Sequence, residues 1–241
     1  MNVQFDNVNT VLCLGSHADD IEIGCGGTIL RLLELNPQLT VYWVVLSGSD
    51  VRAGEARRSA ERFLEEAAES RIITKSFRDS FFPYCGEEIK EFFFELQSQV
   101  SPDLILTHRR EDMHQDHRVV SELTWNTFRR HQILEYEIPK YEGDLGTPNV
   151  FVPLSQATAQ EKVDAIVESF PSQADKPWFT ADTFWSLMRI RGIEANADSQ
   201  FAEGLYCRKM SILTTGSGPA QTAAATSFSA DSLANAAGSV S

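Results

Sequence analysis

Two short stretches of this chain crowd together the side chains that move protons and hold metal ions. The first reads Ser16-His17-Ala18-Asp19-Asp20-Ile21-Glu22-Ile23-Gly24-Cys25-Gly26-Gly27-Thr28. Adjacent Asp19 and Asp20 in a partly desolvated loop raise each other's cost of ionisation unless a cation lies between them. A divalent metal resolves that conflict: His17 and Asp20, three residues apart, converge in a turn on one ion and leave Asp19 beside it as a base. The bland alternative is a polar turn with acidic residues at a helix start, a common arrangement. The second stretch is His108-Arg109-Arg110-Glu111-Asp112-Met113-His114-Gln115-Asp116-His117-Arg118, which holds three of the chain's five histidines. A solvated charged loop would be the alternative here, but such a loop has no need of histidines at this spacing beside a strand.

Both stretches follow short apolar runs that read as buried strands, residues 11–14 and 103–107. Residues 29–35 then carry the apolar spacing of a helix face. Residues 39–46 form a second strand, covered on both sides by their nearly continuous apolar character. A helix follows over 54–70, and Ile72 and Ile73 mark a third strand. Residues 80–86, broken by Pro83 and Gly86, read as a loop. Ile89, Phe92, Phe93, Leu96 and Val100 recur at helical spacing and read as core packing rather than a cofactor box. Four alternations of strand and helix predict a Rossmann-like α/β fold, a mostly parallel sheet with helices on both faces in three α/β/α layers. In such sheets ligands bind at the carboxyl edge of the strands, so the two polar stretches face one crevice. Beyond residue 130 strands are expected over 133–139, 149–153 and 202–208, with helices over 156–170 and 184–191.

From residue 214 onward the chain is almost wholly Ala, Ser, Gly and Thr, with Asp231 its only charge. Such a segment cannot bury enough apolar surface to offset its ordering entropy, which predicts one domain over 1–212 and a disordered tail over 213–241. The net charge of -13 argues against nucleic-acid and anionic-membrane partners, which need a cationic footprint. Cys13, Cys25, Cys85 and Cys207 form no C-x-x-C pair and read as small buried hydrophobes. With no signal-peptide pattern at the N-terminus and no run of membrane-spanning length, the cytoplasm is the expected compartment. Arg52 and Arg58 after the second strand, and Arg109 and Arg110 after the fourth, are candidate contacts for a phosphate or carboxylate on a substrate.

His17-x-Asp19-Asp20 with Gly24-x-Gly26-Gly27-Thr28, and Asp112-x-His114-x-Asp116-His117-Arg118 about a hundred residues later, resemble the PIG-L/LmbE-like family of zinc-dependent N-deacetylases. Further matches are Arg58-x-x-Glu61, Lys162 through Ser172-Gln173, and Arg191-Gly192 followed by Ala202-Glu203-Gly204. The resemblance covers roughly residues 8–210. Ala18 departs from it, standing where the family usually has proline, and residues 131–150 and 178–187 match poorly. It implies His17, Asp20 and His117 as ligands of Zn2+, with Fe2+ or another divalent metal as an alternative, and Asp19 as general base. It also implies that His114 stabilises the tetrahedral oxyanion and protonates the departing amine, with Asp116 holding the His114 ring and favouring its charged form.

The function so implied is removal of an acetyl group from an N-acetylated amino sugar of the N-acetylglucosamine type, or from its conjugate. Taken alone, the residues imply only metal-assisted hydrolysis. The rivals are deacylation of another small amide and a non-catalytic metal- or nucleotide-binding module. Gly24-x-Gly26-Gly27 lacks the G-x-G-x-x-G spacing of dinucleotide sites, which counts against the second. The sequence leaves the oligomeric state open, a homo-oligomer included.

Overall fold

The computed structural model describes residues 8–211. The expected tail over 213–241 lies outside them. Strands β1 (Thr10–Gly15), β2 (Thr40–Val45), β3 (Glu69–Thr74), β4 (Leu104–His108), β5 (Gln132–Tyr136), β6 (Val150–Leu154) and β7 (Phe201–Tyr206) form one seven-stranded sheet in the order β3-β2-β1-β4-β5-β7-β6. The first five pair in parallel. β7 runs antiparallel to both of its neighbours.

The helices are α1 (Asp20–Leu35), α2 (Asp50–Phe63), α3 (Gly86–Gln99), α4 (Gln115–Thr127), α5 (Gln156–Ser169) and α6 (Ala181–Glu194). Side-chain alternation along β1 divides the core in two. Val11 and Cys13 enter a cluster with Ile29 of α1, Ala60 of α2, Ile166 of α5 and Met188 of α6. Leu12 and Leu14 enter the opposite cluster with Phe93 and Leu96 of α3 and Val120 of α4. Helices therefore cover both faces, the three-layer arrangement expected from the alternating pattern. The crossovers carrying α1 and α2 lie on one face and the crossover carrying α3 on the other. The strand order reverses between β1 and β4, and the carboxyl ends of these two strands open the crevice at that reversal.

Three expectations need correction. The second helix ends at Phe63 and not near residue 70, because Glu69 and Ser70 are taken up in pairing with Thr40 and Val41. Within residues 80–86 a 3-10 turn spans Phe82–Tyr84 and buries Phe82. Asp20, expected in a loop ahead of a helix over 29–35, is already the first residue of α1, which carries non-helical backbone at Cys25 (φ -147°, ψ 16°). Among the described residues no helix is long and apolar enough to cross a membrane.

Candidate metal centre and active site

The carboxyl end of β1 delivers His17, then Asp19 at the N-cap of α1 and Asp20 at its first position. The loop after β4 delivers His114 and, in the first turn of α4, Asp116 and His117. The two loops meet. His17 Nδ1 lies 3.1 Å from His117 Nε2 and 3.3 Å from Asp20 Oδ2, and His117 Nε2 lies 3.4 Å from Asp20 Oδ1.

The outer nitrogens of both rings face carboxylates. His17 Nε2 is 3.3 Å from Asp116 Oδ2 and 3.3 Å from Asp79 Oδ1, and His117 Nδ1 is 2.9 Å from Asp112 Oδ2. Ionised carboxylates only accept hydrogen bonds, so each neutral imidazole keeps its proton on the outer nitrogen. Two lone pairs and the Asp20 carboxylate then converge on one point, an arrangement that repels itself unless a proton or a cation fills it. Zinc bonds of about 2.0–2.1 Å in tetrahedral geometry set ligand atoms about 3.3 Å apart, the spacing found here. The donor set therefore fits a divalent metal, with outer carboxylates fixing each ring as they do around metal-bound histidines.

The electrostatics describe the same competition from the metal-free side. Burial opposes charge on His17, but Asp20 and the bonds to Asp116 and Asp79 outweigh it and hold the imidazole well above its usual range. His117 is raised in the same way, burial being outweighed by Asp20 and Asp112. Burial would raise Asp20, yet His117, His17 and His108 hold it well below the ordinary carboxylate range. Asp19 goes the other way: burial and the neighbouring Asp20 raise it against the opposing pull of Arg52, whose Nη2 donates to Asp19 Oδ1 at 2.8 Å.

His114 caps the start of α4, its Nδ1 accepting the Asp116 N–H at 3.3 Å. That bond leaves the ring proton on Nε2. Burial, then His117 and His17, push the His114 pKa down, so it stands as a neutral donor. The expected role of Asp116 is met only in part: its charge acts to raise His114, but burial and the two histidines outweigh it. Its carboxylate accepts from Ser80 N at 2.6 Å and Phe82 N at 3.1 Å and reaches His17; it does not hold the His114 ring. Position 116 lies two residues past the capping His114, and its fully buried side chain turns toward the 80–82 segment.

A cleft of about 470 Å³ opens over these groups. His17, Asp19, Asp20, His114 and His117 line one part of it, and Lys140, Tyr141, Lys176 and Trp178 line another. The arginines separate. Arg52 lines the cleft, but its guanidinium is committed to Asp19 and, at 3.4 Å, to Glu55. Arg58 is exposed on α2 outside the cleft. Arg110 lines a different depression with Trp125 and Arg208, because its backbone N–H is tied to Glu135 of β5 and the chain turns away from the crevice there.

His108 is a buried strand-end contact beneath the site, stacked on His117 with ring centres 3.9 Å apart and with Nε2 3.0 Å from Ser16 N. Burial, then the His117 charge, lower its pKa to about 4. Sequence reasoning assigned no role to Asp79 or Lys140. Asp79 comes from an irregular loop with no periodicity to mark it. Lys140 bonds Asp112 at 2.8 Å and Asp144 at 2.7 Å, partners no spacing rule joins. Asp112 stands inside the second motif, and its spacing to His117 was the available signal.

Residues 12–128 match the family model described as PIG-L: GlcNAc-PI de-N-acetylase. The chain is similar to diacetylchitobiose deacetylase of Thermococcus kodakarensis, 32% identical over 133 residues, an alignment covering 49% of this chain and 48% of that protein. It thus spans about half the length of that curated relative. Among solved structures it is similar to the N,N'-diacetylchitobiose deacetylase of Pyrococcus horikoshii, with TM-score 0.60, 20% identity, and 83% of this chain and 84% of the other covered. It is also similar to the 4-carboxy-2-hydroxymuconate hydratase of Pseudomonas putida KT2440, with TM-score 0.66, 16% identity and coverage of 86% and 98%. At these identities the two structures show the fold alone. A deacetylase and a hydratase share it, so the fold does not choose the reaction.

Proposed function

With a PIG-L family domain over residues 12–128 as the premise, we propose that this protein is a metal-dependent N-deacetylase that removes an acetyl group from an N-acetylglucosamine-type amino sugar or its conjugate. The observation that carries the reading is the convergence of His17 Nδ1, His117 Nε2 and the Asp20 carboxylate on one point, with the raised carboxyl of Asp19 in the same cleft.

His17, Asp20 and His117 would hold the metal, zinc or another divalent ion such as Fe2+. When bound, the ion supplies Lewis-acid polarisation and acidifies water toward a pKa of about 7. Asp19 takes a proton from the attacking water at its carboxylate, and the water oxygen adds to the acetyl carbon. Burial raises the proton affinity of Asp19, so it holds that proton and returns it to the departing nitrogen as the C–N bond breaks. One carboxyl thus serves as base and then acid. Arg52 fixes Asp19 through Oδ1. His114 donates its Nε2–H to the carbonyl oxygen that gains charge, the part of its expected role that a neutral ring can perform. The remainder of the cleft suits a saccharide. Its volume is in the usual ligand-site range of about 300–1,000 Å³. Tyr141 and Trp178 supply apolar faces for a sugar ring, and Lys176 a hydroxyl contact.

The test is a panel of N-acetylglucosamine, diacetylchitobiose and unrelated N-acyl amides, assayed for free amine with chelated and with metal-restored protein. Amine release from the amino sugars that vanishes on chelation and returns with metal is expected. Turnover of only the unrelated amides would transfer the reading to another deacylase. Metal uptake without turnover of any amide would leave a binding module.

A further inference from the structure

Two buried charges lie behind the cleft, and neither takes part in the chemistry above. Lys162 of α5 and Glu203 of β7 pair at 2.6 Å with side chains almost wholly withdrawn from solvent. A buried ion pair is a poor way to stabilise a fold, since apolar residues of the same volume usually do as well or better. What apolar residues cannot do is satisfy the ends of a broken helix, and α1 is broken at Cys25. Glu203 Oε1 accepts the Gly27 N–H at 2.8 Å, and Oε2 accepts the Thr28 N–H and the Thr28 hydroxyl, both at 2.6 Å. Lys162 Nζ donates to the Ile23 carbonyl at 2.7 Å. The pair therefore serves the carbonyl that ends the first turn of α1 and the amides that open its second segment. A carboxylate at that second start is also favourably placed for the helix dipole.

The first turn carries Asp20 and Ile23 into the cleft, and the second segment packs Ile29 and Leu33 into the core. We propose that Lys162 and Glu203 are positioning residues for the metal-ligand turn: by clamping the two sides of the break they set the direction of Asp20 relative to His17 and His117. The inference rests on the metal reading of the site and adds to it two residues distant in sequence that touch neither metal nor substrate.

The experiment measures Co2+ affinity of the metal-free protein by visible absorption, and amide hydrogen exchange around residues 23–28, in wild type, Glu203→Gln, Lys162→Met and Lys162→Arg. Glu203→Gln and Lys162→Met are expected to bind Co2+ about 10–100-fold more weakly, with an altered absorption band. Faster exchange at Gly27 and Thr28 should accompany the loss, with native far-UV dichroism retained. Lys162→Arg is expected to recover most of the affinity. In turnover assays kcat should fall while KM stays near wild type. Folded Glu203→Gln and Lys162→Met proteins with wild-type affinity and spectrum would overturn the proposal. Should both fail to fold, Thr28→Val removes only the hydroxyl bond to Glu203; an affinity loss of a few fold supports the proposal and an unchanged affinity overturns it. Wild-type protein that takes up no Co2+ contradicts the metal reading and this inference together, whereas wild-type uptake with unaltered variants contradicts this inference alone.

Discussion

Two neighbouring aspartates do opposite things because their surroundings differ. Asp20 faces three imidazoles and stays ionised, while Asp19 faces Asp20 and one arginine in a buried setting and is raised. Asp19→Asn keeps the shape and removes the proton acceptor, so kcat should fall by about 10²–10⁴-fold with one metal per chain retained by elemental analysis. Loss of metal along with activity would place Asp19 among the ligands. Asp116 acts through His17. Asp116→Asn keeps an acceptor toward the ring but removes the negative charge that raises ligand basicity, and metal affinity should drop by about tenfold or more in competition with a chromophoric chelator. A change confined to the pH profile of His114, with affinity intact, would restore the role that the motif suggested for Asp116. The two histidine-rich motifs were legible because they are contiguous runs at strand ends. Asp79 was not, since a lone aspartate in an aperiodic loop carries no pattern until the fold brings it beside His17.

At the scale of the element, α1 shows most clearly where reading from sequence stops. Gly24-Cys25-Gly26-Gly27 has the composition of a turn, yet it lies within α1, interrupted only at Cys25, and the glycines answer to what lies against them. A Cβ on Gly24 would run into the Tyr136 ring, and one on Gly27 would sit 2.5 Å from Leu154 and 2.9 Å from Glu203. Tyr136 has little room to yield, because its hydroxyl donates to Leu14 O at 2.7 Å. Gly24→Ala should therefore destabilise the protein by about 1–3 kcal/mol in urea unfolding. A midpoint unchanged from wild type would mean that the close approach of α1 to β5 is not needed. The buried strands were legible as apolar runs. The bounds of α2 and β3 were not, because where a helix yields to a strand depends on pairing with β2, whose partner residues lie 29 positions earlier.

At the scale of the whole molecule, the parallel pairing of β1 to β4 was legible in strand–helix alternation, whereas the strands expected over 149–153 and 202–208 carried no mark of their antiparallel pairing. Global stability should carry the mark of the site's histidines. The folded state holds the pKa of His108 near 4, below the ordinary value of about 6.5. Between those values the unfolded chain binds a proton that the folded chain refuses. The contribution of His108 is complete above about pH 6.5 and is lost as pH falls toward 4. His17 and His117 are raised, so their contributions run the other way and are lost as pH rises through their folded values. In metal-stripped protein, His108→Asn should lose less stability than wild type between pH 6.5 and 4 in thermal melts. Parallel profiles would show that His108 takes up its proton in the fold.

The account stands on one ion shared by residues a hundred positions apart, and X-ray absorption at the zinc edge of the metal-restored protein tests it most directly. One zinc per chain is predicted, with two imidazole nitrogens and a carboxylate oxygen at about 2.0–2.2 Å. The imidazole scattering should be halved in His17→Ala and in His117→Ala. Zinc that binds without imidazole scattering, or scattering indifferent to both substitutions, would contradict it.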